Sequence, residues 1–237
     1  MAEEADQPKQ RAAEGAKTLD NGIRVLKVVA ANPDGLTMTE IARTTGVHRT
    51  VAYRLLLTLG QHSLVTQGDD GRFRVGVGVL ELSASMRSDL QSAAQPHLRL
   101  LADRSGATAH LTVLDGADAV SVAIVEPQDS EMHVAYRIGR RHPATVGAAG
   151  MAILAGRPAQ PAERAEITTG RQRGYVASEG EIQTGAWGLA APVPHGTNNA
   201  IASIGVIALG TREETETARW VISAAQAISR SLAVQTH

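Results

Sequence analysis

The sequence predicts an α+β fold in which a winged helix-turn-helix of roughly 60 residues precedes a larger α+β domain. Three observations predict it. Between residues 18 and 75, three helical patterns run directly into a two-stranded hairpin. The second of those helices opens on a capping-box pair and closes at a glycine. Beyond Gly106 the apolar pattern changes from helical spacing to strand alternation.

The first 17 residues are rich in Ala, Glu, Gln and Lys and read as a disordered arm. A helical stripe of Leu19, Ile23, Leu26, Val29 and Ala30 follows, ending before Asn32-Pro33. Thr37 stands three residues before Glu40, with Met38, Ile41 and Ala42 behind it, and Gly46 ends that short helix. A third helix covers about His48 to Leu59. At about 100° per residue, Val51, Ala52, Leu55, Leu56 and Leu59 share one face, with Arg49, Thr50, Tyr53 and Leu57 opposite and Arg54 on the flank. Leu64–Gln67 and Arg72–Val75 alternate like strands around the turn Gly68-Asp69-Asp70-Gly71. A linking helix is expected over Val77–Asp89, and a second one from His97 to Asp103 after an interruption at Pro96.

Further on, strands are expected at Thr108–Leu114, Ala119–Glu126 and Met132–Ile138, then at Ala186–Val193 and Ile201–Leu209. A small-residue segment, Ala144–Gly150, opens a helix Met151–Ala155, and a last helix stripes Val221, Ala225, Ile228 and Leu232. The helices are expected on one face of the sheet.

Composition narrows the function. Of 237 residues, 43% are hydrophobic and 20% charged, with a formal net charge of −1, an ordinary globular balance. The absence of cysteine excludes disulfides, thiolate metal sites and a Cys nucleophile. No apolar run nears the roughly 20 residues of a spanning helix, and the acidic start does not resemble a signal peptide, so a cytoplasmic protein without membrane contact is expected. Residues 18–75 carry seven basic against five acidic side chains, and the 162 residues that follow carry 13 against 15. The positive balance thus falls on the helix-turn-helix.

Reading DNA requires a helix that fits the major groove and carries groups that reach phosphates and base edges. Arg49, Thr50, Tyr53 and Arg54 supply them on the third helix. Thr39 and Thr44 lie near the second helix, and Arg72 and Arg74 alternate along the wing as backbone contacts. A solvated face on a protein-contact unit is the bland reading of the same residues. Gly76-Val-Gly78 imitates a dinucleotide fingerprint, but it lacks the third glycine and reads as a hinge. His110, His133, His142 and His195 show no triad spacing and read as surface histidines; Glu131 and His133 alone do not make a metal site. No catalytic residue, metal site or cofactor is expected. The turn Gly147–Gly150, with Arg140, Arg141 and His142 upstream, is either an anion cradle at a helix N-terminus or a tight packing joint.

These residues resemble the isocitrate-lyase-regulator (IclR) family of bacterial transcription factors from about Thr18 onward. The resemblance rests on Leu36-Thr-Met-Thr-Glu-Ile-Ala-Arg43, Arg54-Leu-Leu, the Gly139…Pro143…Gly150 loop, Arg173-Gly-Tyr175 and Leu189-Ala-Ala-Pro-Val193. It implies a disordered arm over 1–17, a DNA-binding domain over 18–76 and a linker helix over 77–90. An effector-binding and oligomerisation domain over 91–237 would carry a curved, GAF-like antiparallel sheet. It further implies a palindromic duplex operator, a homodimer or tetramer, and a small organic acid or aromatic metabolite as effector. By position, the effector pocket would be lined by Val134, His142, Ala148, Ala149, Ser178, Ala186, Gly188, Gly205 and Ile207. Two departures stand out. Many relatives have a lysine where this chain has Met151 and an acidic residue near Ser178, and the segment between Ala155 and Arg173 is short by roughly twenty residues. The usual helices are expected to be missing there, leaving either a more open pocket or none that works. A regulator without enzymatic activity is the favoured reading. Its alternatives are a winged protein-interaction module with a vestigial ligand domain, and a small-molecule enzyme built on the C-terminal domain.

Overall fold

The computed structural model describes residues 15–84, 89–128, 137–195, 199–210 and 212–235. The chain forms two compact units, Met1–Met86 and Arg87–His237.

In the first unit, α1 (Lys17–Ala30), α2 (Met38–Thr45) and α3 (Arg49–Gln61) precede a ribbon of β1 (Val65–Gln67) and β2 (Phe73–Val75), with α4 (Gly78–Ala84) after it. The expected stripe on α1 is displaced by one position. Gly22, Val25 and Val29 are the buried residues, while Leu19 and Ile23 are exposed. Gly22 lies against Leu55 of α3, on the same face as Val25 and Val29. At α2, Thr37 accepts from the Glu40 amide while the Glu40 carboxylate accepts from the Thr37 amide at 2.8 Å, so the capping box is complete. Gly46 ends α2 in the left-handed conformation, φ 67°, which glycine adopts without a Cβ penalty. On α3, Ala52, Leu55 and Leu56 turn inward to meet Ile41, Val25 and Phe73. β1 and β2 pair antiparallel with Val65 opposite Val75, and Leu36 bridges to Phe73 so that the wing is tied to the turn before α2.

The second unit opens with α5 (Asp89–Ser105). Pro96 does not interrupt this helix; it lies inside it. Leu90, Ala94, Leu98, Leu101 and Ala102 form one buried stripe across the proline, and burial of that stripe outweighs the missing backbone bond. Then come β3 (Thr108–Asp115), β4 (Asp118–Val125), β5 (Arg141–Pro143), α6 (Ala148–Ala155), α7 (Ala165–Arg173), β6 (Val176–Glu179), β7 (Ala186–His195), β8 (Asn199–Leu209) and α8 (Glu214–Gln235). Six strands make one antiparallel sheet in the order β5-β4-β3-β8-β7-β6. The expected strand Met132–Ile138 lies outside the described residues as far as 136. Arg137 and Ile138, which are described, are not in a strand.

Helices cover both faces of the sheet, not one. Leu111, Leu189, Ile204 and Val206 pack with Leu98, Val221 and Ile228 of α5 and α8. On the other face Val176 and Ala190 pack with Met151 and Ala152 of α6 and Ile167 of α7. The region between Ala155 and Arg173 is therefore not bare of helix. α7 fills it, anchored by Ile167, and the Arg171–Glu163 ion pair ties it to the preceding loop. Ser203, on β8, donates to the Ala149 carbonyl at 2.8 Å, which fixes the start of α6 over the middle of the sheet.

Candidate functional site

Two sites emerge, one in each unit. On α3 the exposed arc holds Arg49, Tyr53, Leu57, Thr50 and Arg54 within about 140° of helix circumference, and the buried Leu55, Ala52 and Leu56 occupy the opposite side. Tyr53 is 52% exposed. Neither Arg49 nor Arg54 makes an ion pair among the described residues. His48 caps the helix, its Nδ1 accepting from the Thr50 amide at 3.4 Å. Thr39 and Thr44 are exposed on α2, and so is Arg43, a cation on the same helix that sequence reasoning passed over.

The wing arginines have a different environment. Arg72 donates to the Gly35 carbonyl at 2.9 Å and pairs with Glu40 at 3.4 Å. Arg74 donates to the Asp34 carbonyl at 2.9 Å and grips both Asp70 carboxylate oxygens, at 2.6 and 3.0 Å. Arg74 holds the Asp70 carboxyl well below its ordinary range, helped by the Arg72 amide. The Thr37 amide and hydroxyl do the same for Glu40, with Arg72 and Arg43 adding to the effect. Both wing guanidiniums thus brace the hairpin against the turn before α2.

The second site lies between α6 and the sheet. A cavity of about 30 Å³ is lined by His142, Ala148, Ala149, Ser178, Ala186, Gly188 and Ile207, seven of the nine sequence-derived positions, together with His110, Gly147, Glu181 and Ile182. Val134 lies outside the described residues. Gly205 does not line the cavity. It pairs with His110 and Ala190 inside the sheet, where the strands approach too closely for a side chain.

At this volume the cavity holds about two water molecules. The loop between β6 and β7 fills the rest. Ile182 lies against Gly147 and packs with Ala186 and Ile207. Glu181 accepts from the Gly147 amide at 2.7 Å, and Ser178 Oγ accepts from the Ala148 amide at 2.8 Å. The two amides that open α6 are therefore already satisfied. Arg164 grips Glu181 through both oxygens, at 2.9 and 3.1 Å, and holds it below the usual carboxylate range.

His110 is not a surface histidine. It is 4% exposed, its Nδ1 lies 3.2 Å from Thr112 Oγ1, and burial pushes its pKa down to about 4, aided by the charge of His142. Across the same face runs a buried row of Ser121, Thr112 and Ser203, and Ser121 Oγ has no hydrogen-bond partner among the described residues. His142 is partly buried, His195 is exposed, and His133, like Glu131, lies outside the described residues. No group of three metal-ligating side chains occurs among the described residues, and no helix there is long and apolar enough to cross a membrane.

Comparison with known proteins bears on both units. Residues 18–69 match the IclR helix-turn-helix domain and residues 83–166 the bacterial transcriptional regulator IclR C-terminal domain. The chain is 26% identical over 246 residues to the HTH-type transcriptional regulator XynR of Escherichia coli, covering 91% of this chain and 97% of that protein. It is 29% identical over 143 residues to the E. coli transcriptional repressor IclR, spanning about half of that protein's length, 52%. Its fold matches that of an IclR homologue from Microbacterium hydrocarbonoxydans crystallised with 4-hydroxybenzoate. The TM-score is 0.78 at 21% identity, covering 92% of this chain and 100% of that one. With one family domain on the helix-turn-helix and the other beginning just before the sheet-bearing unit, the chain belongs to the IclR family of bacterial transcriptional regulators.

Proposed function

We propose that the protein binds a palindromic operator through α3 and that a small organic acid or aromatic metabolite, seated between α6 and the sheet, controls its affinity. Residues 18–76 would bind DNA, 77–90 link, and 91–237 bind effector and assemble a homodimer or tetramer, in the cytoplasm. It acts by binding and not by turnover. The observation that carries the reading is the exposed arc of α3, where Arg49 and Arg54 are uncommitted beside an exposed Tyr53. Support for the effector comes from the cavity lining and from the Microbacterium homologue, which was crystallised with an aromatic acid.

In this reading Arg72 and Arg74 act by holding the wing in place, and direct phosphate binding falls to Arg49, Arg54, Thr39, Thr44 and Thr50. The experiment is selection of bound fragments from a random duplex pool, then titration across salt concentrations. Arg49→Ala and Arg54→Ala should each reduce the slope of log affinity against log salt by about 1 for every phosphate left without its cation. Tyr53→Ala should lower discrimination more than non-specific binding. Unchanged slopes in both arginine variants would reject the assignment.

The effector half is tested separately. Ala149→Leu fills the cavity from α6, and effector response should vanish while operator affinity stays within about twofold. Retention of the response would mean that the effector binds elsewhere. At 30 Å³ the cavity is smaller than a ring, so in this reading admission of one requires Ile182 to move aside.

A further inference from the structure

On the opposite face of the sheet, α5 and α8 leave a groove of about 250 Å³ between them. Its floor is apolar: Leu100 and Leu101 from α5, Trp220, Ala224 and Ala227 from α8. Its remaining lining is Ser223 and three basic side chains, His97, Arg104 and Arg219, with no carboxylate. Arg230 reaches the same end, since its charge acts on the His97 ring. Outside the groove, Asp103 lies 4.0 Å from Arg99, and Glu213 accepts from the Thr215 and Glu216 amides at the start of α8, from where its charge acts on Arg219. Neither Arg104 nor Arg219 makes an ion pair among the described residues.

An apolar floor beneath unpaired guanidiniums is complementary to a flat molecule with one negative end. Arginine favours such a partner, because its planar fork matches a carboxylate and stacks on ring faces. The volume lies just under the range of ordinary small-molecule pockets, which limits the occupant to about one ring. We propose that the α5–α8 groove is a second ligand site, distinct from the cavity under α6, that takes a single-ring organic anion. The ring rests against Trp220 and the leucines, and the anion lies between Arg104 and Arg219.

Trp220 makes the site observable. The full-length protein with Trp187→Phe retains Trp220 as its single tryptophan. Sodium benzoate should change its emission saturably, whereas benzamide, of the same shape but uncharged, should bind at least ~10-fold more weakly, about 1.4 kcal/mol. Arg104→Ala with Arg219→Ala should weaken benzoate by a similar factor, and Ala149→Leu should leave it unchanged. Equal binding of benzamide, benzoate affinity surviving the double arginine change, or loss of the response in Ala149→Leu would each overturn the groove assignment. Because Trp187 is buried and its replacement can perturb folding, ligand-observed NMR of benzoate with Ala149→Leu, alone and combined with the double arginine change, repeats the comparison without it and with the cavity under α6 filled. No saturable benzoate binding in that measurement likewise overturns it.

Discussion

His110 shows how one buried side chain ties the candidate cavity to stability. The ring is inside the sheet with Thr112 as a neighbour, and burial favours its neutral form, with a pKa near 4 in the fold against an ordinary value of 6.5. Between those two values the unfolded chain binds a proton that the native one refuses, so stability rises with pH there. The protein should therefore lose stability as pH falls from about 6.5 toward 4, by on the order of 3 kcal/mol from this residue. Carboxylates such as Glu163, held low by Arg171, begin to cost stability only below their ordinary 4.5, so the window from 6.5 to 4.5 belongs to histidine. His97 is lowered in the same direction by partial burial and adds a smaller share. Chemical denaturation across this range should show the slope in wild type and a flatter one in His110→Gln; equal slopes would mean that the ring is hydrated. Nothing in the sequence around His110 announced this. Its burial depends on α6 arriving from about forty residues downstream, and Glu181 and Ile182 were missed for the same reason. By contrast, Thr37, Glu40 and Gly46 were legible, because capping chemistry is local.

The elements themselves divide along the same line. Strands β3 and β4 follow from strand patterning, β7 and β8 from continuous apolar runs, and α8 from its stripe, since each carries its own local signal. At Pro96 the local rule that proline ends a helix is overridden by packing. Proline removes one backbone bond and crowds the preceding turn, a cost of about 3 kcal/mol in a helix interior, yet the stripe from Leu90 to Ala102 holds α5 together through it. That cost is carried by the folded protein and can be removed. Pro96 is exposed, so Pro96→Ala should raise stability by about 1–3 kcal/mol while leaving the core packing intact. Thermal unfolding reads the effect. A lower midpoint would show that the proline shapes α5 in a way its packing needs. At α1 the displaced stripe has a similar origin: amphipathic spacing alone allows neighbouring faces, and packing against α3 settles on the one that holds Gly22, Val25 and Val29.

At the scale of the molecule, what remains unexplained within the first unit is its apolar surface. Leu19 and Ile23 on α1, Val77 just before α4, and Leu80 and Leu82 on α4 are all exposed, with Val77 at 74% and Leu80 at 68%. Scattered exposed leucines are ordinary, but five large apolar residues on two helices and their approach, in so small a unit, are what a protein-binding surface looks like. A palindromic operator requires two copies of α3 at a fixed separation, and a two-fold pair of chains can bury the same patch on each. The proposed homodimer joins the exposed surface to the proposed operator. Ile23→Asp together with Leu80→Asp places two carboxylates on that surface without touching the buried Val25, Val29 or Leu55. The variant should fold with an unfolding midpoint close to wild type, sediment as a smaller species, and bind a single half-site as well as it binds a palindrome on a per-site basis. If it sediments as wild type and keeps its preference for the palindrome, the dimer is held by the second unit alone, and the apolar surface of the first has some other partner.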